Sequence, residues 1–234
     1  MKKVIVSVLV VLLIMVVGLG GWYLFDSIQK EKNKNAELEN RLIELKTISN
    51  VENKKINANE EIKKVLKDDN WISNNIRKVN YSKGESVINF IKLSDIDGMP
   101  AYLIAWDYSD LDKNERGRLV YVVSYNGEKI VLSNKALNPF IDGMGILEVN
   151  TVKNYIVTTG DAEGDSSVYS IDKTEFNKIA SATYNPLSNN KNDSMEYFNG
   201  KGDKIDGTKY SEYLVDLEEV KMELTNNNID KYVK

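Results

Sequence analysis

Two residue types are missing altogether: the chain has no cysteine and no histidine. Without cysteine there is no structural disulfide, no thiolate nucleophile, no thiolate metal site and no lipid-modified cysteine anchor. Without histidine the commonest general base and the commonest metal ligand are gone, so zinc sites of the usual kinds cannot be built. A phosphate-binding glycine loop is lacking too. Gly18, Gly20 and Gly21 fall inside an apolar run, and the pattern G-x-x-x-x-G-K-[ST] does not occur. Nor is there a basic domain. Lys2 and Lys3 give +2 before residue 26, residues 26–67 add +2, and the net charge of −4 leaves −8 on residues 68–234. Nucleic acid is a poor partner for such a domain, because neutralising phosphates needs a basic face. Anionic lipid would repel it as well. The same −8 also serves as ordinary solubility charge. No cofactor is implied, and no catalytic, cofactor-binding or metal-ligating residue is assigned.

Val4 to Phe25 is an uncharged run of 22 residues in which only Ser7 is polar. As a helix it would be about 33 Å long, against a hydrocarbon core of about 30 Å. A cleaved signal peptide is one reading, with Gly18 and Gly20 as small residues for a peptidase. A retained transmembrane helix is the reading adopted. The run is long for a signal, Trp22 and Tyr23 stand where interfacial aromatics belong, and a charged helical stretch follows at once. Lys30, Lys32, Lys34 and Arg41 after the run compete with Lys2 and Lys3 before it. Long domains, however, are translocated largely regardless of charge. The expected layout is a cytoplasmic tail over 1–3, a transmembrane helix over 4–25, a stalk over 26–67 and an extracytoplasmic domain over 68–234. The membrane, through residues 4–25, is the first expected partner.

From Ser27 to Lys67 there is neither proline nor glycine. Apolar positions recur at Leu38, Leu42, Leu45, Ile48 and Val51, then at Ala58, Ile62 and Val65. The steps fit a heptad seam with a stammer near Ile48 and with Lys55 weakening it. This predicts a coiled-coil stalk that makes a homo- or hetero-oligomer. The competing reading is one amphipathic helix folded back on its own domain.

Beyond residue 67 the period changes. Asp69 or Asn70 would cap a short helix over Trp71–Val79. Eight strand-like segments follow, rich in Val, Ile, Tyr and Thr. They are Val87–Leu93, Ala101–Trp106, Leu119–Tyr125, Lys129–Ser133, Gly145–Asn150, Tyr155–Thr159, Ser167–Ile171 and Lys178–Tyr184. Asn126-Gly127 between two apolar runs predicts a type I′ hairpin, with positive φ at both residues. Short connections imply an antiparallel sheet. Residues 187–208, rich in Asn, Gly and Asp apart from the short Tyr197-Phe198 pair, read as exposed loop. Tyr210, Tyr213, Leu214, Leu217, Val220 and Leu224 follow 3- and 4-residue steps and predict a C-terminal amphipathic helix. The fold class is therefore α+β: a transmembrane helix, a coiled-coil-like helix, then a mainly antiparallel β domain closed by that helix.

Candidate chemistry is sparse. Asp95-Ile96-Asp97-Gly98 and Asp161-Ala162-Glu163-Gly164-Asp165 could offer oxygens to calcium, but neither completes the twelve-residue calcium loop, and tight turns use the same residues. Asp203 to Gly207 is a weaker version. A carboxylate pair for glycoside hydrolysis is not singled out by any spacing. No motif sets a serine on a strained turn beside a lysine base, and Ser82-Lys83 reads as loop. Tyrosines, 13 in all, either line a groove or sit half-buried in strands.

Trp71-Ile72 to Ile76, the strands VYSIDKTEFNKIASATY and the tail EYFNGKGDKIDGTKYSEYL together resemble a loose group of uncharacterised exported or membrane-anchored proteins of Gram-positive bacteria. The resemblance covers residues 68–215 and carries no catalytic residues over. The layout is also similar to that of bacterial division and cell-shape scaffold proteins. The function expected is a single-pass membrane protein presenting a non-catalytic interaction or assembly module outside the cell. Carboxylate-dependent envelope enzyme and calcium-dependent adhesive or sensor domain are the alternatives.

Overall fold

The structure is a computed structural model that describes residues 2–77, 86–110, 115–133, 135–140, 147–159, 165–172, 175–185 and 195–234. Side chains are described for these except at 2–20, 24, 109, 110, 115, 116 and 138–140. The chain divides into two compact units, Met1–Asn53 and Lys54–Lys234.

Helix α1 runs from Lys2 to Leu66, 65 residues, and passes through both units. Nothing after Gly21 interrupts it, and its exposed surface carries i,i+4 ion pairs from Lys30 to Asp26 (2.8 Å) and from Arg41 to Glu37 (2.9 Å). Lys63 and Lys64 stand in its last turn, where cations favour the carbonyl end of the helix dipole. Among the described residues no helix is long and apolar enough to cross a membrane. The side chains of the apolar run Val4–Phe25 lie almost wholly outside that set.

The second unit is α+β and antiparallel throughout. Its helices after α1 are α2 (Asp69–Asn75), α3 (Gly207–Ser211) and α4 (Asn226–Tyr232). The strands begin with β1 (Ser86–Lys92), β2 (Ala101–Asp110), β3 (Glu115–Tyr125), β4 (Ile130–Leu132), β5 (Leu137–Phe140) and β6 (Leu147–Asn150). Then come β7 (Tyr155–Thr159), β8 (Ser166–Asp172), β9 (Glu175–Tyr184), β10 (Met195–Asn199), β11 (Glu218–Glu219) and β12 (Met222–Glu223). They form two six-stranded sheets. The first has the order β12-β1-β2-β3-β4, with β5 also on β3; the second has β10-β9-β8-β7-β6-β11.

Strand alternation sorts the apolar residues into three cores. Leu103, Ala105, Val120 and Val122 of the first sheet meet Leu147, Val149 and Ile156 of the second. On the first sheet's other face, Phe90, Tyr102, Ile104, Trp106, Tyr121 and Val123 are covered by helices: Ile62 and Leu66 of α1, Ile72 of α2, Ile229 of α4. On the second sheet's other face, Val157, Val168, Ala180 and Ala182 pack under Tyr210 of α3. The order of layers is helices, sheet, sheet, helical cover.

The second unit begins at Lys54, and Ala58, Ile62 and Leu66 at the end of α1 are buried in it. Several expectations are corrected. The cap of α2 is Asp68, whose carboxylate accepts from the Asn70 and Trp71 N–H groups; Asp69 and Asn70 are inside the helix, which ends at Asn75. The hairpin at Asn126 is not type I′. Gly127 has φ +95° and Asn126 does not join it in positive φ; its Oδ1 instead accepts from the backbone of Glu128 (3.1 Å) and Lys129 (3.0 Å) in a four-residue loop. The amphipathic helix over Tyr210–Leu224 does not form. That segment holds the end of α3, then β11 and β12, and α4 follows it. β10 lies inside the stretch expected to be loop.

Candidate interaction surface

The heptad-like seam divides at the unit boundary. In the first unit Leu38, Leu42, Leu45, Ile48 and Val51 are all between 45% and 64% exposed and form an apolar row. In the second unit the same periodicity is used internally. Ala58 and Ile62 are fully buried, Ile62 in the core against the first sheet. Lys55, which would spoil a seam, is ion-paired to Asp95 at 2.6 Å. Asn59 accepts a hydrogen bond from the Tyr102 hydroxyl at 3.2 Å. The fold-back reading therefore holds for residues 54–66, and the row before them is left uncovered.

The acidic clusters separate into explained and undescribed. Asp97 (φ +51°) and Gly98 (φ +75°) form a tight turn closed by reciprocal bonds between Ile96 and Met99. Asp95 is committed to Lys55. Asp203 is tied to the Asn199 side chain at 3.0 Å, and Asp206 caps α3 through Thr208, whose hydroxyl and N–H hold its carboxyl below the usual range. Asp161, Glu163 and Gly164 lie outside the described residues. Asp165 is described and accepts from the Tyr184 N–H at 2.9 Å. Among the described residues no three acids converge on a point that could hold a metal ion. Ser82-Lys83 also lies outside the described residues.

Four tyrosines gather in the third core. Tyr155, Tyr213, Tyr210 and Tyr197 form a chain of rings with centroid separations of 5.6, 6.4 and 5.2 Å. Their edge-on and tilted geometry is what aromatic quadrupoles prefer in a core. Burial pushes the Tyr210 hydroxyl up from its ordinary value, partly offset by its hydrogen bond with Ser166. The rings of Tyr197 and Tyr210 close the third core.

A cavity of about 310 Å³ opens between the end of α1, α2, β1 and the start of α4. Arg77, Asp69 and Glu223 stand around it. Sequence reasoning missed it, since three solvated charges scattered over 150 residues carry no periodic signal.

No protein-family model, curated protein or solved structure matches the chain.

Proposed function

We propose that the chain is a single-pass membrane protein. Residues 4–25 cross the membrane, and residues 54–234 form a non-catalytic β-rich module outside the cell, there to bind or assemble. Chains associate through the row Leu38, Leu42, Leu45, Ile48 and Val51. The observation that carries this reading is that uncovered apolar row, set on one uninterrupted helix that also contains the run Val4–Phe25. Large apolar side chains at 3- and 4-residue steps are costly to leave in water, and packing them against another helix recovers that cost. Placing the row directly after an anchor confines it to two dimensions, where a weak seam suffices. Protease added to intact protoplasts tests the topology. It is expected to digest residues 54–234 and spare only a fragment of about 25 residues, the length that spans a bilayer. Protection in protoplasts followed by cleavage after lysis reverses the orientation. Release of a domain starting near Gly21 replaces the anchor with a cleaved signal.

A further inference from the structure

The dipeptide Asn-Gly occurs twice, at Asn126-Gly127 and at Asn199-Gly200. Asparagine is a thermolabile residue, and a following glycine opens its side-chain amide to attack by the next backbone nitrogen, because no Cβ stands in the way. The fold treats the two copies differently. Asn126 to Lys129 form the exposed loop between β3 and β4. A Cβ at Gly127 would meet nothing within 4 Å. The backbone bond across the mouth of this loop, from the Asn126 N–H to the Lys129 carbonyl, is 3.2 Å long. Beyond it β4 is a strand of three residues at one end of the first sheet. Opening such a loop locally costs little.

Asn199-Gly200 is held. Gly200 lies against β9, where a Cβ would collide with the Lys178 carbonyl oxygen and come within 3.1 Å of the Ile179 Cα. Both ends of the Asn199 amide are bound. Its Oδ1 accepts from the Lys201 and Asp203 N–H groups, each at 2.9 Å, and its Nδ2 donates to the Asp203 carboxylate at 3.0 Å. Two backbone bonds close the loop again, from the Asn199 N–H to the Asp203 carbonyl (2.9 Å) and from the Gly202 N–H to the Asn199 carbonyl (3.0 Å). At Asn126 the oxygen alone is bound. Its Oδ1 accepts from the Glu128 and Lys129 N–H groups, and among the described residues its Nδ2 has no hydrogen-bond partner. The two donors polarise the carbonyl at Cγ and face the negative charge that an attack there puts on Oδ1. The nitrogen that has to leave is untethered.

We propose that Asn126 is a self-modifying site: the hairpin of the folded chain converts with age to aspartyl and isoaspartyl forms, while Asn199 stays intact. Solvent base takes the Gly127 amide proton, and that nitrogen attacks Asn126 Cγ. The Cγ–Nδ2 bond breaks, Nδ2 takes a proton from water and leaves as ammonia, and a cyclic succinimide remains. Water then adds to either of its carbonyls. Opening one way leaves an ordinary aspartate at position 126, and opening the other way routes the main chain through the side-chain carbons. Both products add a negative charge to a loop that already holds Glu128. The isoaspartyl product also lengthens the backbone between β3 and β4 by one carbon and turns Oδ1 into a main-chain carbonyl, so its bonds to Glu128 and Lys129 must be remade. This inference does not rest on the membrane or stalk assignment.

The test ages the full-length chain in detergent micelles, in warm and mildly alkaline buffer. Its peptides are sampled over time by mass spectrometry, with fragmentation that separates aspartyl from isoaspartyl. Each converted site is one dalton heavier. Conversion at Asn126 is expected to run at least about tenfold faster than at Asn199, the effect of about 1.4 kcal/mol in barrier. It should yield both products, and it should quicken as the pH rises, because the attacking nitrogen has to lose its proton. The same chain unfolded in urea is the control, and there the two rates should converge. Equal rates in the folded chain overturn the inference, and so does faster conversion at Asn199. A preference for Asn126 that is just as large in urea overturns it too, since the fold would not then be its cause. Conversion at Asn126 to aspartyl alone would exclude the succinimide and with it the attack by Gly127.

Discussion

The Tyr102 hydroxyl on β2 donates to Asn59 Oδ1 on α1 at 3.2 Å, in the layer where the helix end covers the first sheet. Burial pushes the Tyr102 hydroxyl up to about 12, the Lys234 backbone pulls it back a little, and the Asp95 charge pushes it up again. The folded state therefore keeps a proton that the unfolded state loses near pH 10. That stability is complete below pH 10 and drains away as the pH rises toward 12. The melting midpoint should fall across this window. Tyr102→Phe should cost about 1 kcal/mol at neutral pH, the worth of one buried hydrogen bond, and make the alkaline fall shallower. Burial also raises Tyr121 and Tyr210, so the fall should not vanish. A variant with an unchanged alkaline slope would remove Tyr102 as its source.

Helix α1 serves two purposes along its length, and alanine substitutions should separate them. Ile62 is fully buried in the core formed by α1, α2, α4 and the first sheet. Ile62→Ala should destabilise the second unit by about 2–5 kcal/mol, through lost transfer energy and the cavity left behind. Leu42 is 52% exposed, so Leu42→Ala should lie within about 0.5 kcal/mol of the parent in denaturant unfolding of the dilute chain. Truncation at residue 68 removes Ala58, Ile62 and Leu66 together. That fragment should unfold at lower denaturant than one starting at Lys54, and equal midpoints would show that residues 54–66 add nothing.

Most of the β domain was legible because period-2 alternation survives wherever a strand has one face on a core. β7 was read to the residue and β1, β6 and β8 within a residue or two. β5 was missed because it contains Pro139 and pairs β3 only at Arg118 and Val120, an edge position where proline costs little. The false helix over Tyr210–Leu224 has a clear origin. Tyr213 and Leu217 belong to the core under α3, Val220 to the core between the sheets, and Leu224 to the core under α4. The segment crosses the edges of both sheets and touches a different layer every few residues, which mimics a 3.6-residue period. The cavity lined by Arg77, Asp69 and Glu223 was illegible for a different reason: no local pattern requires those charges, and they are far apart in sequence.

Gly117 is needed for what lies above it. A Cβ there would collide with the hydroxyl and ring of Tyr108 on the neighbouring strand, and that ring packs on Trp106 at 5.1 Å. Glycine inside a strand is otherwise a liability, so the ring covers the gap that the missing side chain leaves. Gly117→Ala should destabilise by about 1–3 kcal/mol, the usual cost of overpacking. Pairing it with Tyr108→Ala should recover part of that loss, and strictly additive effects would deny the contact its role.

The exposed row on α1 is short, and its length sets how strongly it can associate. Leu38, Leu42, Leu45, Ile48 and Val51 span two heptads, since Ala58 and Ile62 are already used by the second unit. A seam of that length buries little per chain, and isolated helices of 12–15 residues are marginal in water. Residues 27–234 in solution should therefore self-associate only weakly, and residues 54–234 not at all. In detergent or membrane the span raises the effective concentration and should make the same seam sufficient. Analytical ultracentrifugation of the two fragments measures the first point. Disulfide crosslinking of full-length Leu42→Cys in a chain otherwise free of cysteine measures the second, with Glu39→Cys as a control off the row. Selective crosslinking at position 42 is the expected result. If neither position crosslinks and both fragments stay monomeric at high concentration, the row does not join copies of this chain, and the assembly proposal fails at that step.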